Sequence, residues 1–174
     1  MLSYFTNIIY GKIPFSNGPA RLSLNTSIVK LNISKMKTKQ IWLNLPVKDM
    51  EKSKAFFKEI GFTPNPYHEN SSHLGSFFIG EKEVVMMLFP EETFKKFTQN
   101  EIADTQKGTE ILLNIDAQSK EEVDEMCQVV KNAGGKIYAE PKDAEGWMYA
   151  FGFEDLDGHR WSVLYMDRSK MPQS

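Results

Sequence analysis

QIWLNLPVKDMEKSKAFFKEIGF, residues 40–62, carries the signals for a strand, a tight turn, a helix and a helix stop. Residues 40–47 alternate apolar and polar side chains as a half-buried strand does. Pro46 falls near its end, where a missing N–H is tolerable. Asp49 is an N-cap: its short carboxylate can accept from the first free helical N–H groups. Met50, Ala55, Phe56, Phe57 and Ile60 then recur at roughly helical spacing, with Glu51, Lys52, Lys54, Lys58 and Glu59 mostly opposite them. Gly61 can take a positive φ and stop the helix, and Phe62 opens the next extended run.

The same order returns roughly seventy residues later, and such a repeat points to a duplicated unit. Residues 109–117, TEILLNIDA, alternate again. Ser119 and Glu122 have capping-box spacing, and the helix after them presents Val123, Met126, Cys127 and Val130 before Gly134-Gly135 stops it. Between the two openings, residues 63–70 are rich in turn formers. Residues 72–79 and 84–89 read as a hairpin around Gly80-Glu81-Lys82, and Pro90 ends it. Residues 91–98 suit a short helix with Phe94 and Phe97 on one side, and the polar run 99–107 reads as a linker. In the second half, 136–139 is a strand and 140–146 a loop. Residues 147–153 and 160–166 are strands joined through Asp157-Gly158, a hairpin turn signal.

Each half thus reads strand–helix–strand–strand–strand. The expected fold is α+β: two βαβββ modules, residues 39–98 and 108–167, forming a curled mixed sheet around a central cleft, helices outside. The domain spans 37–168, with a tail at 169–174.

The totals are those of an ordinary globular domain: 174 residues, 41% hydrophobic and 25% charged. A formal charge of −2 supplies no basic field for nucleic acid, and no apolar run approaches the roughly 20 residues of a membrane span. The single cysteine, Cys127, can form no intrachain disulfide, and its helical setting reads as a buried thiol. Residues 1–35 contain Lys12, Arg21, Lys30 and Lys35 and neither Asp nor Glu. Two readings fit. One is a transit peptide, which would place the protein in an organelle; such peptides are basic, Ser-rich and acid-poor. The other is a disordered or mis-assigned extension over residues 1–36, with Met36-Lys37-Thr38-Lys39 resembling a natural start and the protein cytoplasmic. The presence of only one Arg favours the second.

The duplicated order, the run LPVKDMEKSKAFFKEIGF and the closing DLDGHRWSVLYMD resemble the vicinal oxygen chelate superfamily, which includes glyoxalase I, bleomycin-resistance proteins and extradiol dioxygenases. NLPVKD and the WMY stretch at Trp147–Tyr149 are most similar to an uncharacterised glyoxalase-like group within it. The resemblance implies a divalent metal in the cleft, held by His, Gln or Glu from the strands of both modules. Carried over by position, the ligands would be Trp42, Met86 or Met87, Glu110 and Ser162. Only Glu110 is a good ligand. Indole offers no lone pair, a thioether prefers soft ions and a neutral hydroxyl is a weak donor. One carboxylate cannot give Zn²⁺ or Fe²⁺ its coordination sphere. The expectation is therefore a scaffold that keeps the family's fold without its metal.

Asn44 shares a strand face with Trp42, and Asn114 with Glu110. The expected ligand site is Trp42, Asn44, Met86, Glu110, Asn114, Tyr149 and Ser162, receiving a small organic molecule. Glu110 is the one candidate general base should it be desolvated, or else a structural partner of Arg160. Among the aromatic residues Trp42, Trp147, Tyr149 and Trp161, core and dimer packing is favoured over a cage, with Tyr149 the best cavity candidate. His68, His73 and His159 read as surface residues. The rival to a binding module is an enzyme, a glyoxalase-type lyase or isomerase or a dioxygenase. The resemblance also implies a homodimer.

Overall fold

The computed structural model describes residues 39–172. The expected extension at 1–36 lies outside the described residues. The elements run β1 (Trp42–Val47), α1 (Met50–Glu59), β2 (Thr63–Pro64), β3 (Gly75–Ile79), β4 (Val84–Pro90), α2 (Glu91–Thr98), β5 (Leu112–Asp116), α3 (Lys120–Asn132), β6 (Lys136–Ala144), β7 (Met148–Glu154) and β8 (Arg160–Met166).

The duplicated order is present. Each module builds its own four-stranded mixed sheet, β1-β4-β3-β2 and β5-β8-β7-β6. In both, the first strand pairs in parallel with the last and the remaining pairs are antiparallel. The sheets stay open, with β1 and β5 at their edges. The curl expected of one sheet is therefore made by two.

Local chemistry accounts for the elements. Asp49 caps α1, its Oδ1 accepting from Lys52 N at 3.1 Å. Gly61 stops the helix at φ 95°. Ser119 Oγ caps α3 by accepting from Glu122 N at 3.2 Å, while Glu122 reaches back to Gln118 N at 2.5 Å. That is a capping box shifted by one residue on its return arm.

Three details depart from the sequence reading. Residues 63–70 are not wholly irregular, because Thr63–Pro64 adds a two-residue strand to β3. Residues 140–144 are not loop: β6 continues to Ala144 through two register shifts against β7. Pro141 is accommodated because β6 is an edge strand and bulged. On α1 it is Ser53, not Ala55, that joins Phe56 and Phe57 in the buried stripe.

One apolar core serves both modules. Period-2 alternation sends Leu45, Val47, Met86 and Leu88 from the first sheet, and Leu113, Trp161 and Val163 from the second, to the helix-covered side. Phe57 is the hinge of this packing. Its ring lies 5.2 Å from Phe56, 5.5 Å from Phe62, 5.9 Å from Phe77 and 5.7 Å from Trp161 of the other module. Cys127 is fully buried on α3, and burial pushes its thiol pKa up.

The modules are also clasped by the β7–β8 loop. Asp155 is buried and its carboxylate collects three donors: the N–H groups of Asp157 and His159 at Oδ1, both at 3.0 Å, and Trp161 Nε1 at Oδ2, at 3.0 Å. The loop so shaped reaches the first module. Asp157 accepts from Lys48 N and from Ser53 Oγ, each at 2.9 Å, and His159 Nε2 donates to the Pro46 carbonyl at 2.9 Å. Gly158 sits at φ 88°, and a Cβ there would overlap Thr105, whose hydroxyl donates to the Asp157 carbonyl at 2.9 Å.

Two predictions follow from this packing. Phe57→Ala removes a ring shared by both modules, so it costs about 3–5 kcal/mol, read as a lowered urea midpoint. Burial raises the Asp155 pKa, against the pull of His159 and the N–H donors. The folded protein thus holds that proton more tightly than the unfolded chain, and the contribution fades as pH rises above the usual carboxylate range. The stability gap between wild type and Asp155→Asn should be wider at about pH 4 than at about pH 7, measured by urea unfolding at both.

Candidate functional site

On the side of each sheet away from the core, the pairing fixes which side chains stand together. In the first module Asn44, Met87 and Ser76 share one rung, with Trp42, Val85 and Phe78 on the next. In the second, Asn114, Ser162 and Gly152 form one rung, and Leu112, Arg160 and Glu154 another. Phe89 extends the first set, and α2 folds against it with Phe97 5.4 Å from Phe89.

A cavity of about 270 Å³ lies between the modules. Its walls come from the end of β1 (Asn44, Leu45, Pro46), from α2 (Phe94, Thr98), from the segment 100–111 and from the start of β8 (Gly158, His159, Arg160). That volume falls just below the roughly 300–1,000 Å³ typical of ligand pockets, so it suits a small molecule. Phe94, Ile102 and Ile111 give it apolar walls, and Asn44, Thr109, Glu110 and Arg160 bring polar groups.

Of the residues expected at the site, Asn44 and Glu110 line this cavity. Glu110 precedes β5, not within it, and is exposed. Trp42 is on the cleft-side face but 59% exposed, outside the cavity lining. Asn114 and Ser162 pair on that face of the second sheet, also outside it. Two expected residues are on the other side altogether. Met86 is 0% exposed in the core, aligned with Leu43 and Phe77; its neighbour Met87 has the cleft-side register. Tyr149 faces α3, where its hydroxyl donates to Asp124 Oδ1 at 2.9 Å and Lys120 lies 5.1 Å from its ring centre. The Asp124 carboxylate accepting that proton pushes the Tyr149 pKa up.

Arg160 does not pair with Glu110. Its Nη2 meets Glu154 at 2.8 Å, and its guanidinium carbon lies 4.2 Å from the ring centre of Tyr138. Tyr138 is delivered there by a bulge. It is the extra residue between the Ile137 and Ala139 pairings, and its hydroxyl donates to the Trp161 carbonyl at 3.0 Å. Gly152 makes room for that ring, since a Cβ would overlap it. Desolvation raises the Tyr138 pKa. The sequence reading missed Arg160 as a cavity residue and missed Tyr138 entirely; the alternation of β8 places Arg160 on the face of Ser162, and that was the available signal. His159, read as a surface residue, instead joins the modules at Pro46.

The four family ligand positions do not converge as a chelating set. Of the two candidates for the second position Met86 is turned into the core and Met87, on the cleft face, offers only a thioether; Trp42 and Ser162 bring no strong donor, and Glu110 stands outside the strand. Among the described residues no three His, Cys, Asp or Glu side chains are grouped to hold an ion. The side chains present do not fit a divalent metal there.

Solved structures resemble this fold. Hypothetical protein SA1046 from S. aureus is 31% identical, with a TM-score of 0.65 over 74% of this chain and 94% of its own. A glyoxalase/bleomycin resistance protein/dioxygenase from Nocardioides superposes with a TM-score of 0.63 at 17% identity, over 82% of this chain and 92% of that one. The genomically encoded fosfomycin resistance protein FosX from Listeria monocytogenes gives 0.55 at 23% identity, over 74% and 93%. No curated protein matches in sequence. The family model of the Glyoxalase/Bleomycin resistance protein/Dioxygenase superfamily matches residues 39–163. With duplicated βαβββ modules, a cleft between them and that match across most of its length, the chain belongs to this superfamily.

Proposed function

We propose that the protein binds a small organic molecule in the cleft between its modules, without a divalent metal. The observation that carries this reading is the 270 Å³ cavity, apolar in its walls and furnished with a few convergent polar groups. Ligand sites have that composition: apolar surface supplies affinity and a handful of polar groups fixes orientation. The donor chemistry at the family's ligand positions supports the metal-free part. An indole, a thioether and a hydroxyl beside one carboxylate give no coordination sphere for a hard or borderline ion.

Within this reading Asn44 and Glu110 orient the ligand from opposite modules, and Phe94, Ile102 and Ile111 cover its apolar part. Glu110 is exposed, so it serves as a hydrogen-bond acceptor at the rim of the cleft. Metal analysis of protein purified without chelator is expected to give far less than one divalent ion per chain. EDTA should leave the melting temperature unchanged. Filling the cavity with Ala103→Trp should abolish binding of fragment-sized molecules, followed by NMR, while the fold persists. A stoichiometric ion lost on Glu110→Ala would overturn the metal-free reading.

A further inference from the structure

We infer that the molecule taken by this cleft is a small organic monocarboxylate, its carboxylate docked on Arg160; this rests on the cleft being a ligand site, as proposed above. Among the described residues Arg160 is the one Lys or Arg lining the cavity. A guanidinium carries five N–H donors in a planar fork. Here Nη2 is held by Glu154, and Nε is buried with no acceptor. Sealed as it is, Nε is out of a ligand's reach, so an acceptor arriving from the cavity meets the Nη N–H groups, of which Nη2 is the one engaged by Glu154.

The group is also fixed in place. Tyr138 supports one face of the guanidinium and is itself tethered to the Trp161 carbonyl, while Glu154 holds an edge. A guanidinium fixed in this way loses little freedom when an oxyanion arrives. Glu154 also pairs with Lys136 at 3.2 Å, so the triad Lys136–Glu154–Arg160 keeps one net positive charge. Glu154 is thus shared between two cations and offsets the field at Arg160 only in part.

The remaining charges limit the ligand to one negative charge. Glu101 and Glu110 also line the cavity, and among the described residues only Glu101 of the two has a close cation, Lys95 at 3.3 Å. A dianion such as a phosphonate would face that rim with a single guanidinium to balance it. A monocarboxylate with a largely apolar body, bearing at most one hydroxyl for Glu110 to accept from, matches one Arg, apolar walls and the small volume.

The test is an NMR-observed screen of the full chain against a fragment set with equal numbers of aryl and alkyl monocarboxylates, phosphonates, amines and neutral alcohols. Monocarboxylates are expected to dominate the hits and to shift the Asn44 and Gly158 amides. Arg160→Leu should weaken them about 10- to 100-fold, the range for a lost charge-assisted pair, and leave any alcohol hits unchanged. Because Arg160→Leu also removes packing against Tyr138, Glu154→Gln provides the second arm. It keeps the guanidinium, removes its competing carboxylate and should tighten monocarboxylate binding. No hits of any class at the cavity would overturn the cleft reading itself. Hits led by amines, alcohols or phosphonates, or monocarboxylates indifferent to both substitutions, would overturn this inference and leave the cleft standing.

Discussion

Two sheets that share no hydrogen-bonded ladder are held in register by the carboxylate of one buried residue. Asp155 accepts three hydrogen bonds, two from its own loop and one from Trp161. Burying a charge is costly unless hydrogen bonds replace the lost water, and here three N–H groups offset part of that cost while burial still favours the protonated form. The return is geometric. A loop shaped from within presents Asp157 to the start of α1 and His159 to the Pro46 carbonyl. Pro46 lies on an edge strand, and its carbonyl is paired with the His159 ring. The loop thus uses an edge-strand group of one module as the attachment point for the other.

This arrangement explains where the cavity is. Its floor includes both sides of the clasp, Pro46 from the first module and Gly158 and His159 from the second. The remaining walls, α2 and segment 100–111, lie between the modules in sequence and close the space that the open sheets leave. Shared aromatic packing does the complementary work on the other side. Phe57 and Phe62 of the first module lie against Trp161 of the second, whose indole N–H is one of the donors to Asp155. Core and clasp therefore meet in a single residue, and the spacing of the cleft is set by rigid buried groups.

What could be read in the sequence follows from how strongly each stretch is phased. Residues 40–62 mix polar and apolar positions at a clear period, so strand, cap, helix and stop were all legible. The run VVMMLF has no polar residue to mark a face, and a one-residue slip in a strand exchanges its two faces. Met86 was therefore placed in the cleft when Met87 has that register. WMYAFGF is apolar on both sides for the same reason, which hid that Tyr149 faces α3. Ser53 takes a place in the apolar stripe of α1 because its partner, Asp157, lies in the other module, which the local sequence does not show. Segment 100–111 has no period at all, and the cavity wall it forms could be seen only once the chain was folded. Tyr138 depends on a bulge, which alternation does not encode.

The opposite faces of each sheet carry different obligations. Leu45, Met86, Leu88, Leu113, Trp161 and Val163 are fixed by packing on the helix side, where a lost methylene is felt. Trp42, Asn44, Asn114 and Ser162 stand on the other face, largely open, where substitution costs little stability. Because successive strand residues alternate between these faces, a chain can keep every residue that specifies the fold while changing every residue that would touch a metal or a ligand. Membership of the superfamily is accordingly written on the packed face and says little about chemistry. The chemistry has to be argued from the open one, and there Arg160 is tightly constrained: its guanidinium is supported by Tyr138 and held by Glu154.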